Sequence, residues 1–303
     1  MTPLEFLSVP HTFSESSNLI VPWIVQFVAS WIAFLLYMRA DYETFQKGKD
    51  YFVKVKLPTR HPLTRNPGGQ AGEANLLFGI FPKPETFWYS QLFMIPLVLF
   101  NQLVIWPLVS FLFIWPIWQQ REAESGISTW SWIAQFCLLI SLMIISDQLW
   151  YWAHRMLHLP FFWSWAHRDH HVAPQAALSA TFVHPLEYSL FCLAMQLPFA
   201  VVGFPMAVHA IPLGWGMFTG SGAHSGYSGV LANGDEHNAH HLVTDVNFGL
   251  LMIADRMWGT HWRPESGTSL SQLNLKLKKS SLTREIEEEF GGGPTTINSE
   301  KEE

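Results

Sequence analysis

Charge is scarce in this chain. Asp, Glu, Lys and Arg make up 14% of its 303 residues, whereas 49% are hydrophobic. No block of Lys and Arg has the density that nucleic-acid binding requires. Cysteine is nearly absent. Cys137 and Cys192 both lie in apolar runs and read as small buried hydrophobes, which leaves neither a disulfide framework nor a thiolate metal site. Met1 to Ser17 contains no Lys or Arg, so the charged start of a cleavable signal peptide is missing. The first apolar run is therefore expected to be a retained span. No internal repeat occurs, and the HExxH pattern of a hydrolytic zinc site is missing. The net charge of −6 is uninformative about partners, because the basic residues are unevenly placed.

Long apolar runs are abundant, and several reach the roughly 20 residues that cross a bilayer. The expected fold is all-α: a multi-spanning helical membrane protein with a cytosolic histidine-rich metal-binding cap. Asn18 to Met38 is a first span, with Pro22 in its first turn. A polar stretch, Arg39 to Glu85, follows with eight Lys/Arg. Phe87 to Trp118 exceeds one span, and Pro96, Pro107 and Pro116 fall inside it. It reads as a tilted or broken helix, with Trp88, Tyr89, Trp115 and Trp118 at its ends as interfacial aromatics. Gln119 to Ser128 reads as a polar connector and Thr129 to Ala153 as a third span. Leu186 to His209 and Ala210 to Ala223, punctuated by Pro198, Gly203 and Pro205, read as a hairpin returning to its starting side. Phe248 to Trp258 is a short apolar interfacial helix, and the end from Gly291 is expected to be disordered. Three regions follow: 1–128, spans and a cytosolic loop; 129–265, the histidine-bearing catalytic part; 266–303, a polar tail. On this topology every Lys and Arg except Arg121 shares one face with all the histidine groups. The positive-inside rule makes that face cytosolic.

Eight of the fourteen histidines form three groups: His154 and His158; His167, His170 and His171; His237, His240 and His241. The spacings HxxxH, HxxHH and HxxHH put imidazoles on one helix face. Eight imidazoles without a nearby cysteine are too many for one metal and suit two, and imidazole suits iron, zinc and copper. Asp147 lies seven residues before His154, about two turns along the same helix face. A carboxylate that deep is costly and reads as a partner fixing an imidazole, or else as an interfacial group reaching water.

The run from Asp147 through His154 and His158, then His167-Arg-Asp-His170-His171, His184-Pro-Leu-Glu187, His224-Ser-Gly-Tyr227 and Glu236-His237-Asn-Ala-His240-His241 resembles the fatty acid hydroxylase/sterol desaturase superfamily. Asn247-Phe-Gly249 and Asp255-Arg-Met-Trp-Gly-Thr260 continue the likeness, which covers roughly Thr129 to Thr260. Within the superfamily the pattern is most similar to the C-4 methyl sterol oxidase branch, although Gly222 stands where an acid is common and Ser-Gly-Val-Leu follows Tyr227. The resemblance implies two iron ions held by His154, His158, His167, His170, His171, His224, His237, His240 and His241. It makes His184 a ligand or an outer partner. By the sequence alone, His184 and His224 are each equally well read as satisfied polar histidines near a membrane edge.

The resemblance further implies an O2-dependent oxidoreductase of the endoplasmic reticulum membrane that hydroxylates, desaturates or oxidatively demethylates a lipid. The substrate would be a sterol-like terpenoid or an acyl lipid. Electrons would come from NAD(P)H through cytochrome b5 or an equivalent donor protein. Apart from the resemblance, Lys47, Lys49, Lys54 and Lys56 on the basic face read either as a docking patch for an acidic donor or, more simply, as a solvated or headgroup-facing surface. Alternatives are a fatty acyl or sphingolipid hydroxylase, a non-enzymatic histidine-rich metal-binding membrane protein, a hydrolase, and an inactive scaffold.

Overall fold

A computed structural model describes residues 13–45, 92–172, 176–225 and 234–262. The lysines at 47, 49, 54 and 56, most of the polar stretch before residue 92, and the tail 266–303 lie outside the described residues. Within them every regular element is helical, and four helices are long and apolar enough to cross a membrane.

Helix α1 is Phe13–Phe45, longer at both ends than its apolar run. Helix α2 is Ile95–Ser125 and absorbs most of the expected polar connector. Its prolines do not break it. Two wide π turns, Asn101–Ile105 and Ser110–Ile114, directly precede Trp106-Pro107 and Trp115-Pro116. A proline has no N–H to give the preceding turn and its ring crowds it, and widening that turn relieves the clash. Helix α3, Trp132–Leu157, is capped by Ser131 Oγ, which accepts from Ala134 N, and it carries His154 in its last turn.

Beyond α3 the chain forms a short bent helix, α4 (160–172), and a 3-10 turn, Ala177–Thr181. Helix α5 is Pro185–Val202 and α6 is Met206–His224. The hairpin bend is therefore at Gly203–Pro205, not at the expected His209/Ala210 boundary. Gly203 adopts a left-handed conformation (φ 71°), and a Cβ there would lie 2.6 Å from the Arg121 carbonyl carbon. Only glycine meets both demands. Helix α7 is Gly234–Val243 and α8 is Ile253–Trp258.

The long helices alternate in direction. Asn18 Oδ1 accepts from Ala207 N at 2.9 Å, so α1 and α6 start at one end of the bundle. Trp118 Nε1 donates to Phe204 O at that same end. At the other end Asn101 Nδ2 donates to the Thr181 and Val183 carbonyls, and Phe93 packs edge-on to Phe182. The ends of α3 and α6, the start of α5, and α4 and α7 all gather there. Interior polar pairs tie the spans together: Gln102 Nε2 to Ser30 Oγ at 2.9 Å, and Gln196 Nε2 to Ser110 Oγ at 3.0 Å. Leu, Ile, Phe and Trp side chains cover the outside of the bundle. Exposed Trp132 and Trp152 are twenty residues apart on α3, about 30 Å along a helix, which matches a hydrocarbon core between two aromatic girdles. His154 lies just beyond the second girdle.

Candidate metal centre

The nine histidines His154, His158, His167, His170, His171, His224, His237, His240 and His241 come together at this end of the bundle in two abutting groups. The first is His154, His158, His167, His171 and His240; the second is His170, His224, His237 and His241. Each HxxHH motif is divided between them. In α4 the i, i+4 pair His167 and His171 serves the first group and His170 the second. In α7 His237 and His241 serve the second group and His240 the first. Residues at i and i+4 diverge by about 40° around a helix and i+3 falls on the other side of i. Two such helices facing each other therefore exchange one imidazole each. The rings interleave, with the His171 and His241 centroids 4.5 Å apart.

The nitrogen geometry fits metal binding. His167 Nε2 lies 3.1 Å from His154 Nε2, 3.0 Å from His158 Nε2 and 3.0 Å from His171 Nε2. A single ring nitrogen has at most one proton to give, so hydrogen bonding cannot account for three such neighbours. In the second group His237 Nε2 is 2.8 Å from His224 Nε2 and 3.0 Å from His241 Nε2, with His224 and His170 at 3.3 Å. Two nitrogens bound to one ion at about 2.1 Å and at right angles sit about 3.0 Å apart.

Backbone carbonyls fix three of the tautomers. His154 Nδ1 donates to Phe248 O at 2.8 Å, His240 Nδ1 to Val246 O at 2.7 Å and His224 Nδ1 to Gly220 O at 2.8 Å. A carbonyl only accepts, so Nδ1 carries the proton and Nε2 presents a bare lone pair. His240 Nε2 is buried and has no hydrogen-bond partner among the described residues, so its lone pair fits a metal ligand. Burial, and then repulsion among neighbouring imidazoles, holds His158, His171, His237, His240 and His241 well below the ordinary histidine value. The same two causes lower His167 and His170. The neutral imidazole is the form that binds metal.

Among the described residues Asp147 reaches no imidazole. Its Oδ1 accepts from Leu250 N and Leu251 N at 2.7 Å each, and its Oδ2 from Ala254 N at 2.8 Å. Asp255 takes Phe248 N at 2.8 Å, Gly249 N at 2.7 Å and the Thr260 hydroxyl at 2.7 Å. These two buried carboxylates capture the amides of residues 248–251 and hold that part of the expected Phe248–Trp258 helix as a turn. Only Ile253–Trp258 is helical. The loop instead presents the Val246 and Phe248 carbonyls to two imidazoles. Asn247, at φ 55°, closes it by donating to Glu236 O and Trp262 O.

His184 stands outside both groups. It caps α5, its Nδ1 accepting from Leu186 N at 3.1 Å. Glu187, one turn into α5, is the carboxylate that does touch an imidazole: its Oε2 lies 2.9 Å from His167 Nδ1, though the contact is too bent for a well-aligned hydrogen bond. Glu187, Asn247 and Asp255 stand in the sequence motifs, but the sequence alone assigned them no role. The available signal for Glu187 was an acid in the first turn of an otherwise apolar helix. Neither cysteine is near the centre; Cys137 is exposed and Cys192 is packed with Trp106 and Tyr188.

A cavity of about 360 Å³ opens from the imidazoles into the bundle. His154, His170, His224 and His237 line its head, and Trp150, Phe191, Met195 and Met217 line its apolar body between α3, α5 and α6. Exposed Trp215, Leu250 and Leu251 also line it, so it opens on the apolar outer surface of the bundle.

Residues 139–260 match the family profile described as fatty acid hydroxylase. The chain is similar to the human fatty acid hydroxylase domain-containing protein 2, 30% identical over 172 residues, 54% of this chain and 50% of that protein. It is also similar to the Delta(7)-sterol 5(6)-desaturase ERG3A of Gibberella zeae, 28% identical over 175 residues, 54% of this chain and 47% of that protein. The chain thus spans about half the length of the curated relatives it matches. No solved structure matches.

Proposed function

We propose that this chain, whose residues 139–260 match the fatty acid hydroxylase profile and which is similar to a sterol desaturase, is a membrane-bound di-iron oxygenase of the fatty acid hydroxylase/sterol desaturase superfamily that acts on a lipid, a sterol-like terpenoid first. One observation carries the reading: nine imidazoles in two abutting groups open directly on an apolar cavity. His154, His158, His167, His171 and His240 would hold one ion, and His170, His224, His237 and His241 the other. A bound iron pair would supply oxidising power from O2 and two electrons per turnover. In balance, a lipid C–H, O2, two electrons and two protons give a lipid alcohol and water. Desaturation gives an alkene and two waters from the same inputs.

The remaining work falls to the chain itself. The 246–248 carbonyls and Gly220 O hold three imidazoles with Nε2 inward. Glu187 stands behind His167. The walls of α3, α5 and α6 exclude water and fix which carbon meets the centre. The active face is cytosolic and the membrane that of the endoplasmic reticulum. Electrons come from NAD(P)H through cytochrome b5 or an equivalent protein. An acyl lipid is the second reading, favoured by the family's description; the cavity lining is apolar and suits chain and ring lipids alike.

Untargeted lipid and terpenoid profiling of cells with and without the gene identifies the substrate. Turnover of that lipid under 18O2 then tests the reaction. One labelled oxygen in an alcohol product, or an oxygen-dependent alkene, is expected. Product formation without O2 would overturn the oxygenase reading.

A further inference from the structure

The cavity has a second polar end. His209, in the first turns of α6, is 3% exposed, lines the cavity, and stacks on Phe199 with ring centroids 3.7 Å apart. Its Nδ1 is buried and finds no hydrogen-bond partner among the described residues. It belongs to neither imidazole group. An ionisable side chain placed inside a membrane bundle without a partner is costly, and such residues mark ligand sites.

His209 and His224 are fifteen residues apart on α6, about 22 Å along the helix axis and within about 60° around it. Leu213, Gly216, Met217 and Gly220 lie between them on that face, and all line the cavity. A Cβ at Gly216 or Gly220 would meet nothing within 4 Å, so this face is an open trough running from His209 to the metal centre.

We propose that His209 is a polar anchor that receives the hydroxyl group of an elongated lipid alcohol, so that the carbon presented to the imidazoles lies near the opposite end of that lipid. The inference rests on the lipid-oxygenase reading above and adds a polarity to it. A neutral imidazole offers one donor and one acceptor, as does a hydroxyl, and it carries no charge to offset a carboxylate. The trough then acts as a ruler: oxidation falls on a carbon up to about 20 Å from the hydroxyl. A methyl group beside a sterol's hydroxyl would stay at the His209 end, far from the centre.

Binding tests this without turnover. Purified protein in nanodiscs is loaded with tritiated cholesterol and challenged with cholesterol or its 3-deoxy analogue, cholest-5-ene. The alcohol should compete about five- to tenfold better. The preference should vanish in His209→Phe, which keeps a ring against Phe199, and return in part in His209→Gln. A wild type without alcohol preference, or a preference that survives in His209→Phe, overturns the anchor. Photolabelling the wild type supplies a check independent of variant folding. A cholesterol diazirine in the ring system should mark Phe199 and the first turns of α6, and one in the tail should mark the His224 end; the reverse pattern overturns the proposal. Failure of 18O incorporation with the alcohol preference intact would instead remove the oxygenase reading and leave the anchor.

Discussion

At the scale of single residues, the imidazoles are set from behind as much as from the front. Nδ1 of His154 and of His240 is held by loop carbonyls whose own positions depend on Asp147 and Asp255. Replacing Asp255 by Asn leaves one carbonyl oxygen where two oxygens had served two amides and a hydroxyl. Leaving a buried donor unsatisfied costs about 1–3 kcal/mol. Asp255→Asn should therefore lower the thermal midpoint and weaken iron retention in chelator competition; an unchanged iron affinity would separate the loop from the centre. His170→Ala and His240→Ala remove one nitrogen from different groups. Both should abolish turnover with membrane insertion intact, and full activity in either would defeat the ligand assignment. The histidine spacing made eight of these nine residues legible, and the resemblance added His224. The carbonyl partners were not legible, because which backbone oxygen meets a ring depends on the tertiary path of the 244–252 turn. Asp147 looked like an imidazole partner because it shares a helix face with His154; the loop amides intervene.

Helices carry the next level of organisation. Facing α4 and α7 each supply both groups, so neither helix can hold a complete ion site alone. This sharing could not be read from HxxHH, which fixes angles within one helix and says nothing of its partner. The apolar runs located the spans, but their ends moved. Left-handed Gly126 caps the end of α2 and Ser131 the start of α3, and Gly203 set the α5–α6 bend six residues before the expected boundary. Gly203→Ala combines an unfavourable left-handed φ with a Cβ 2.6 Å from the Arg121 backbone. It should sharply reduce the yield of folded protein, read as monodisperse material in detergent; normal yield and melting would contradict the close approach. Gly249→Ala is the counterpart beside the centre, since its Cβ would stand 2.8 Å from Asp255 Oδ2 and 2.9 Å from Asp147 Oδ1. It should cost iron before it costs fold, seen as iron content dropping while helical circular dichroism persists.

For the molecule as a whole, the alternating spans bring every histidine group to one end of the bundle and leave an apolar cavity beneath it. In metal-free protein the imidazoles outside the spans are neutral when folded, their affinity for protons lowered mainly by burial. The unfolded chain binds those protons near the ordinary value of about 6.5. Stability linked to these groups is thus fully present above that value and is lost as pH falls below it toward the lower folded values. Melting of the metal-free protein should drop as pH falls below about 6.5, and a flat profile would contradict neutral burial. The most direct test of the account is iron per chain, measured together with Mössbauer spectroscopy on protein grown with 57Fe. The account predicts two irons per chain, magnetically coupled. One iron, none, or two uncoupled irons would contradict a shared histidine-bound pair.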